Sequence, residues 1–336
     1  MVKERMVDNL VNDSEKASTL KMLPTNVTST PNGTEKGTFL VLELKQDTFQ
    51  ISQVKLDGRN NPEIESENFS IPKTQLFEDI ASYLATFKKR RNIQIDLPIG
   101  FTFPFTFIEN TEDESTLISW SKRVFYQGVE NRNMVQLLRE AIFKQENYKP
   151  KYITFVNDTV GTMMNCGFKH SDCEAGLIVD NSSNICYMEM ENTRGNEDDL
   201  NSWRRCVKVE WGSFGDNGDL QSFSTIYDQK VDKESEKRGK QCFEKMVSLT
   251  YVGEIVRHVL LANDRLMRHD GNHSKLQEKY CLKPGDILTI SKTHLQVDLS
   301  IPFQKNYKFR LKLAHPAIPA RTPNLQMAQW RNEPMN

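Results

Sequence analysis

Apolar positions along this chain switch repeatedly between the period of a strand and that of a helix. Gly37 to Leu44 is a nearly continuous apolar run of strand length. Phe49 to Leu56 then alternates strictly, and Asp57-Gly58 closes the segment as a turn. Leu76, Phe77, Ile80, Tyr83, Leu84 and Phe87 recur at helical spacing and predict a helix ending in Lys88-Lys89-Arg90-Arg91. Cations at a helix C-terminus complement its dipole, so that basic run reads as a cap rather than an anion site. Ile93 to Pro98 predicts another strand, leading into the aromatic run Phe101 to Phe105. A helix over about Arg132 to Gln145 and a buried strand from Tyr152 to Val156, ending at Asn157-Asp158, follow.

In the second half, Ala175 to Val179 and Asn184 to Met190 predict a hairpin about the polar turn Asp180 to Ser183. Glu191 to Ser202 reads as a polar loop and Val207 to Trp211 as a strand. A long helix from about Lys240 to Leu261 is expected to bury Phe243, Met246, Val247, Tyr251, Ile255 and Val259. Strands alternating with helices in both halves argue for an α/β protein. From Gln304 onward the composition changes. Six Lys/Arg stand against one acid, and Pro316, Pro319, Pro323 and Pro334 exclude a long helix, so an extended basic tail is expected.

Composition narrows the function classes. Lys+Arg (44) and Asp+Glu (45) nearly cancel, which gives no global field for nucleic acid or an anionic membrane. No run approaches the ~18 apolar residues of a membrane span, and the opening MVKERMVDNL lacks a signal-peptide core. Cys166, Cys173, Cys186, Cys206, Cys242 and Cys281 have neither CxxC nor zinc spacing and read as free thiols in a reducing, cytoplasmic setting. Asn26-Val27-Thr28 therefore carries no weight as a glycosylation site.

Several longer motifs occur in one order: Lys21 to Thr25, Ser29 to Gly37, Leu97 to Phe103, Val156 to Met164 and Glu210 to Gly218. Together they resemble one catalytic unit of animal hexokinases, closely to about Leu261, faintly to about Lys292 and not beyond. The resemblance implies an actin/hexokinase (ribonuclease-H-like) α/β fold. It also implies an N-terminal part of a large lobe at residues 1–69, a small, sugar-side lobe at 70–156, an incomplete remainder of the large lobe at 157–300 and a basic tail at 301–336.

On the sugar side, the resemblance puts Asp158 at the family's general-base position. Asn157, Asn184, Glu210 and Glu244 fall at hydroxyl-ligand positions, and Ser121-Lys122 resembles the pair that binds the sugar from the small lobe. Such a site needs a carboxylate to take the hydroxyl proton as it attacks phosphorus. Pro104 stands where the family has serine, and Thr106 where it has proline, which removes one hydroxyl contact and redirects the loop.

The phosphate side departs further. Where the family reads Leu-Asp-Leu-Gly-Gly-Thr-Asn-Phe-Arg, this chain reads Leu42-Glu43-Leu44-Lys45-Gln46-Asp47-Thr48-Phe49-Gln50. Where it reads Gly-Thr-Gly-x-Asn, the chain has Asp180-Asn181-Ser182-Ser183-Asn184. Glycines let backbone N–H groups close on phosphate oxygens, and both loops have lost them. Asp180 and Asp47 add like charge; at effective ε ≈ 20 a like-charge pair near 4 Å costs about 4 kcal/mol. The adenosine motif is not found, Asp270-Gly271 reads as a turn, and no P-loop substitutes for it.

The leading expectation is a catalytically inactive hexokinase relative serving as an interaction or structural module, with weak hexose binding retained. On that reading no metal or cofactor is expected. The alternatives are an active ATP-dependent hexokinase acting at the 6-hydroxyl, which would need Mg-ATP, and a sugar sensor. A lobe cut in mid-sheet would leave an open edge and apolar surface. Either the alternating stretch Phe303 to Leu313 or a protein partner is expected to cover it, a cytoskeletal polymer engaging the basic tail being one such partner among many.

Overall fold

The computed structural model describes residue 6 and residues 19–45, 48–59, 61–72, 75–111, 113–120, 126–146, 150, 152–191, 203–262 and 274–287. All of them fall in one compact unit, Met1–Thr289. Ser121, Lys122, Gln46, Asp47, most of the expected loop 191–202, the Asp270-Gly271 turn and the basic tail lie outside the described residues.

The strands are β1 (Leu23–Pro24), β2 (Lys36–Leu44), β3 (Phe49–Asp57), β4 (Glu63–Phe69), β5 (Ile99–Phe103), β6 (Thr106–Thr111), β7 (Glu114–Ser119), β8 (Ile153–Asn157), β9 (Ala175–Val179), β10 (Ser183–Glu191) and β11 (Trp203–Lys208). The helices are α1 (Leu76–Arg90), α2 (Met134–Glu146), α3 (Asp158–Lys169), α4 (Ile226–Glu234), α5 (Cys242–Val247), α6 (Leu249–Leu261) and α7 (Ser274–Gln277). A five-stranded sheet runs β4-β3-β2-β5-β8, antiparallel through β2 and parallel from there to β8. A second, antiparallel sheet runs β1-β11-β10-β9, and β6 and β7 form a hairpin.

The first sheet packs on α1 and α2 through Leu40, Leu42, Ile51, Ile80, Leu84, Leu138 and Ile142. Its centre is aromatic, with ring centroids 4.9 Å apart for Phe101–Phe155 and 5.6 Å for Phe103–Phe155. The boundary expected at 69/70 runs through this sheet. β2 hydrogen-bonds directly to β5, so residues 36–69 share a ladder and a core with the segment placed in the small lobe. The basic end of α1 is consumed by ion pairs: Lys88 to Glu146 on α2, Arg90 to Glu67 and Arg91 to Glu65 on β4. All six cysteines are free thiols.

Three expected elements differ. Ile93 to Pro98 is not a strand: Asn92 turns left-handed, Ile93 donates back to Lys88, and Ile95 is 65% exposed while Ile93 and Leu97 are buried. The ladder starts only when Leu40 donates to Pro98. The strand placed at Val207 to Trp211 ends at Lys208, because Glu210 adopts φ 55°, ψ 49° and Trp211–Ser213 forms a 3-10 turn. The long helix is broken at Ser248, whose ψ of 147° is extended. There the carbonyl of Asp180 captures the N–H of Leu249, and that of Asn181 accepts the Thr250 hydroxyl. The face α6 buries is also not the one expected. Gly253, Glu254, Arg257 and His258 are inside, while Tyr251, Ile255 and Val259 are half-buried. Arg257 joins Glu254 (2.9 Å) and Glu234 of α4 (3.4 Å), donates to the Leu276 carbonyl (3.2 Å), and the Tyr280 N–H donates to Glu254. That polar cluster ties residues 276–280 to both helices.

Candidate functional site

Parallel strands β5 and β8 end side by side at Phe103 and Asn157, and a helix begins there. Asn157 caps α3: its side chain accepts the Thr159 N–H (3.1 Å) and hydroxyl (2.6 Å), which stabilises the exposed first turn. Asp158 is thereby the first helical residue, with its carboxylate near the positive end of the helix dipole. Its Oδ1 accepts the Thr159 N–H at 2.9 Å.

The second sheet delivers the facing groups. Asn184 lies at the start of β10, just past the turn 180–182. Glu210 follows β11 in the left-handed conformation, which swings its side chain toward Asn184. Its Oε1 accepts Asn184 Nδ2 (2.7 Å), its Oε2 accepts Thr106 Oγ1 (2.6 Å), and its N–H donates to Asn184 Oδ1 (3.0 Å). Glu244 comes from α5, and Gln241, also left-handed, immediately precedes that helix. Gly212 allows this approach, since a Cβ there would stand 2.4 Å from Gln241 Oε1 and 3.1 Å from Glu244 Oε2.

A single pocket is lined by Pro104, Thr106, Asn157, Asp158, Ser182, Asn184, Glu210, Gln241 and Glu244, among others. Five of the residues anticipated on the sugar side therefore meet. Sequence reasoning missed Gln241, whose side-chain role has no pattern of its own. It also missed Thr106 as a hydrogen-bonding wall rather than a mere departure. The pocket is small and partly open to solvent, with a cavity volume of about 30 Å³. A hydrogen bond with Cys186, and then burial, push the Cys206 thiol well above the ordinary range, making it a packing group rather than a nucleophile.

The phosphate-side residues are differently occupied. Lys45 Nζ lies 3.3 Å from Glu43 and 2.9 Å from Gln50 Oε1. In the turn Asp180-Asn181-Ser182, Asp180 N–H closes on the Ser182 carbonyl (2.9 Å), and none of the three residues has positive φ. Two of its carbonyls are tied to the start of α6.

Comparison with known proteins decides the family. One hexokinase family model matches residues 1–168, half of the chain, and a second matches residues 174–311. This chain belongs to the hexokinase family. Human Hexokinase-1 is 41% identical over 273 residues, 77% of this chain and 29% of that protein. Human Hexokinase-2 is 44% identical over 256 residues, 72% of this chain and 27% of that protein. A solved hexokinase from Schistosoma mansoni complexed with glucose superposes with a TM-score of 0.71 at 35% identity, covering 77% of this chain and 60% of that one. The chain thus spans under a third of the length of the curated relatives it matches. The fold is that of hexokinases. One expectation is corrected: the second match reaches residue 311, so the resemblance does not stop at Lys292.

Proposed function

We propose that this hexokinase relative binds a hexose at the pocket around Asp158 and does not phosphorylate it, acting as a hexose-responsive interaction module. The convergence of Asn157, Asp158, Asn184, Glu210 and Glu244 on one pocket carries the sugar half of this reading. Acceptors and amides of this kind match hydroxyls one by one. The glucose complex of the Schistosoma hexokinase supports the choice of ligand class.

The non-catalytic half rests on the phosphate side, where the residues do not fit Mg-ATP. Lys45 is engaged by Glu43 and Gln50, and the turn 180–182 spends two carbonyls on α6. A phosphate cradle needs convergent N–H donors and a chain free of Cβ atoms instead. The module role, with a protein partner engaging the basic residues after 301, follows from the lack of catalysis and from that segment's charge. A second reading, an ATP-dependent hexokinase acting on the 6-hydroxyl, draws on Asp158 standing at a strand end and helix start.

Calorimetric titration separates the readings. Glucose is expected to bind the intact chain and to lose affinity on Asp158→Ala. Mg-ATP is expected to give no heat at millimolar concentration, and a coupled assay with glucose, fructose and mannose to stay at background. Submillimolar Mg-ATP binding with turnover would establish the kinase reading. Glucose binding unchanged by Asp158→Ala would move the sugar site elsewhere.

A further inference from the structure

We propose that Thr106 is an internal competitor for the hexose: its hydroxyl holds the Glu210 carboxylate in the way a sugar hydroxyl would, and keeps the pocket contracted. This deepens the sugar-binding reading above and rests on it.

The geometry is specific. Thr106 Oγ1 donates to Glu210 Oε2 at 2.6 Å, a short bond to a charged acceptor and so among the stronger kinds. Asn184 Nδ2 occupies the other oxygen at 2.7 Å. Both oxygens of the carboxylate are therefore engaged by the protein itself. A threonine hydroxyl and a sugar hydroxyl are the same donor chemically, so one substitutes for the other at Oε2.

Position makes the competition effective. Thr106 opens β6, and that strand is clamped to the second sheet at the next positions. Lys208 Nζ donates to the Phe107 carbonyl (2.9 Å) and pairs with Glu109 (3.4 Å), while the Asn26 N–H donates to Glu109 Oε2 (2.9 Å). Held there, the Thr106 hydroxyl acts at high effective concentration and has little freedom to lose. The cavity is small, about 30 Å³, of the size that holds a water. A hexose hydroxyl that takes the direction at Oε2 now held by Thr106 therefore requires the Thr106–Glu210 bond to open.

The test is glucose titration of the intact chain and of Thr106→Ala, Thr106→Val and Thr106→Ser, each checked for an unchanged thermal transition. Thr106→Ala should bind glucose about tenfold more tightly, equivalent to about 1.4 kcal/mol. Thr106→Val, which keeps the bulk and guards against a packing artefact in the alanine variant, should also tighten binding, by less. Thr106→Ser, which keeps the hydroxyl, should stay within roughly threefold of the parent. If alanine and valine leave affinity equal or weaker while Glu210→Gln abolishes it, Thr106 positions Glu210 instead, and the competitor idea falls with the sugar site intact. If neither the parent nor any variant binds glucose, the sugar-site reading itself has failed and this proposal with it.

Discussion

Lys208 offers the sharpest test of how the second sheet is joined to the β6–β7 hairpin. It is 1% exposed, yet carries a charge. Its ammonium donates to the Phe107 carbonyl at 2.9 Å, pairs with Glu109 at 3.4 Å and sits 4.0 Å from the centroid of the Phe107 ring. Lys208→Met keeps the length of the side chain and removes all three interactions. Deleting one member of a buried pair strands the other charge, typically at about 3–5 kcal/mol. Glu109 retains the Asn26 N–H, which argues for the lower end, about 3 kcal/mol. The unsatisfied Phe107 carbonyl is part of that figure, not an addition to it. Lys208→Met with Glu109→Gln removes both charges together and should cost only about 1 kcal/mol. Urea unfolding followed by tryptophan fluorescence would measure both, and the double-mutant cycle should show at least about 2 kcal/mol of coupling. A single-variant loss under about 1 kcal/mol, or a double variant equal to the sum of its parts, would refute the idea that this pair joins the second sheet to the hairpin.

Two further outcomes are expected. Gly176→Ala would put a Cβ 2.1 Å from the Thr159 carbonyl and 2.9 Å from Met163, both on α3, so it should destabilise by about 3 kcal/mol and weaken glucose binding together; urea melts and calorimetry on one preparation check this. Burial first, then the adjacent Arg257, lower the His258 pKa, with Glu234 and Glu254 opposing and Lys230 reinforcing. The unfolded chain then binds that proton more readily, so stability should be lost as pH falls below about 6.5, and His258→Gln should flatten that slope in melts from pH 7.5 to 5.

Much of the frame was legible because its signals were local. β2, β3, α1 and α2 follow from runs whose apolar period matches their burial, and the β9–β10 hairpin from its polar turn, although Leu177 and Val179 on β9 are exposed. β4 (EIESENF) went unread because it is a mostly exposed edge strand with few apolar residues, its acids Glu63, Glu65 and Glu67 pairing with Lys55, Arg91 and Arg90. Ile93 to Leu97 imitated a strand by chance spacing, and nothing local revealed that Asn92 would turn the chain aside. The break at Ser248 depends on carbonyls nearly 70 residues away in sequence. In the site, Asp158 and Asn157 are readable as a strand end meeting a helix cap. Gln241 and the hydroxyl of Thr106 acquire their roles only from partners on other elements.

The conformation of Glu210 has an evolutionary reading. A non-glycine residue in the left-handed region costs about 1–2 kcal/mol that glycine would avoid. Two such residues, Glu210 at φ 55° and Gln241 at φ 57°, line the same pocket. A chain with no further use for that pocket would gain stability by letting either position drift to glycine, a change of one or two bases. Keeping long polar side chains on strained backbone is what selection for a ligand leaves behind.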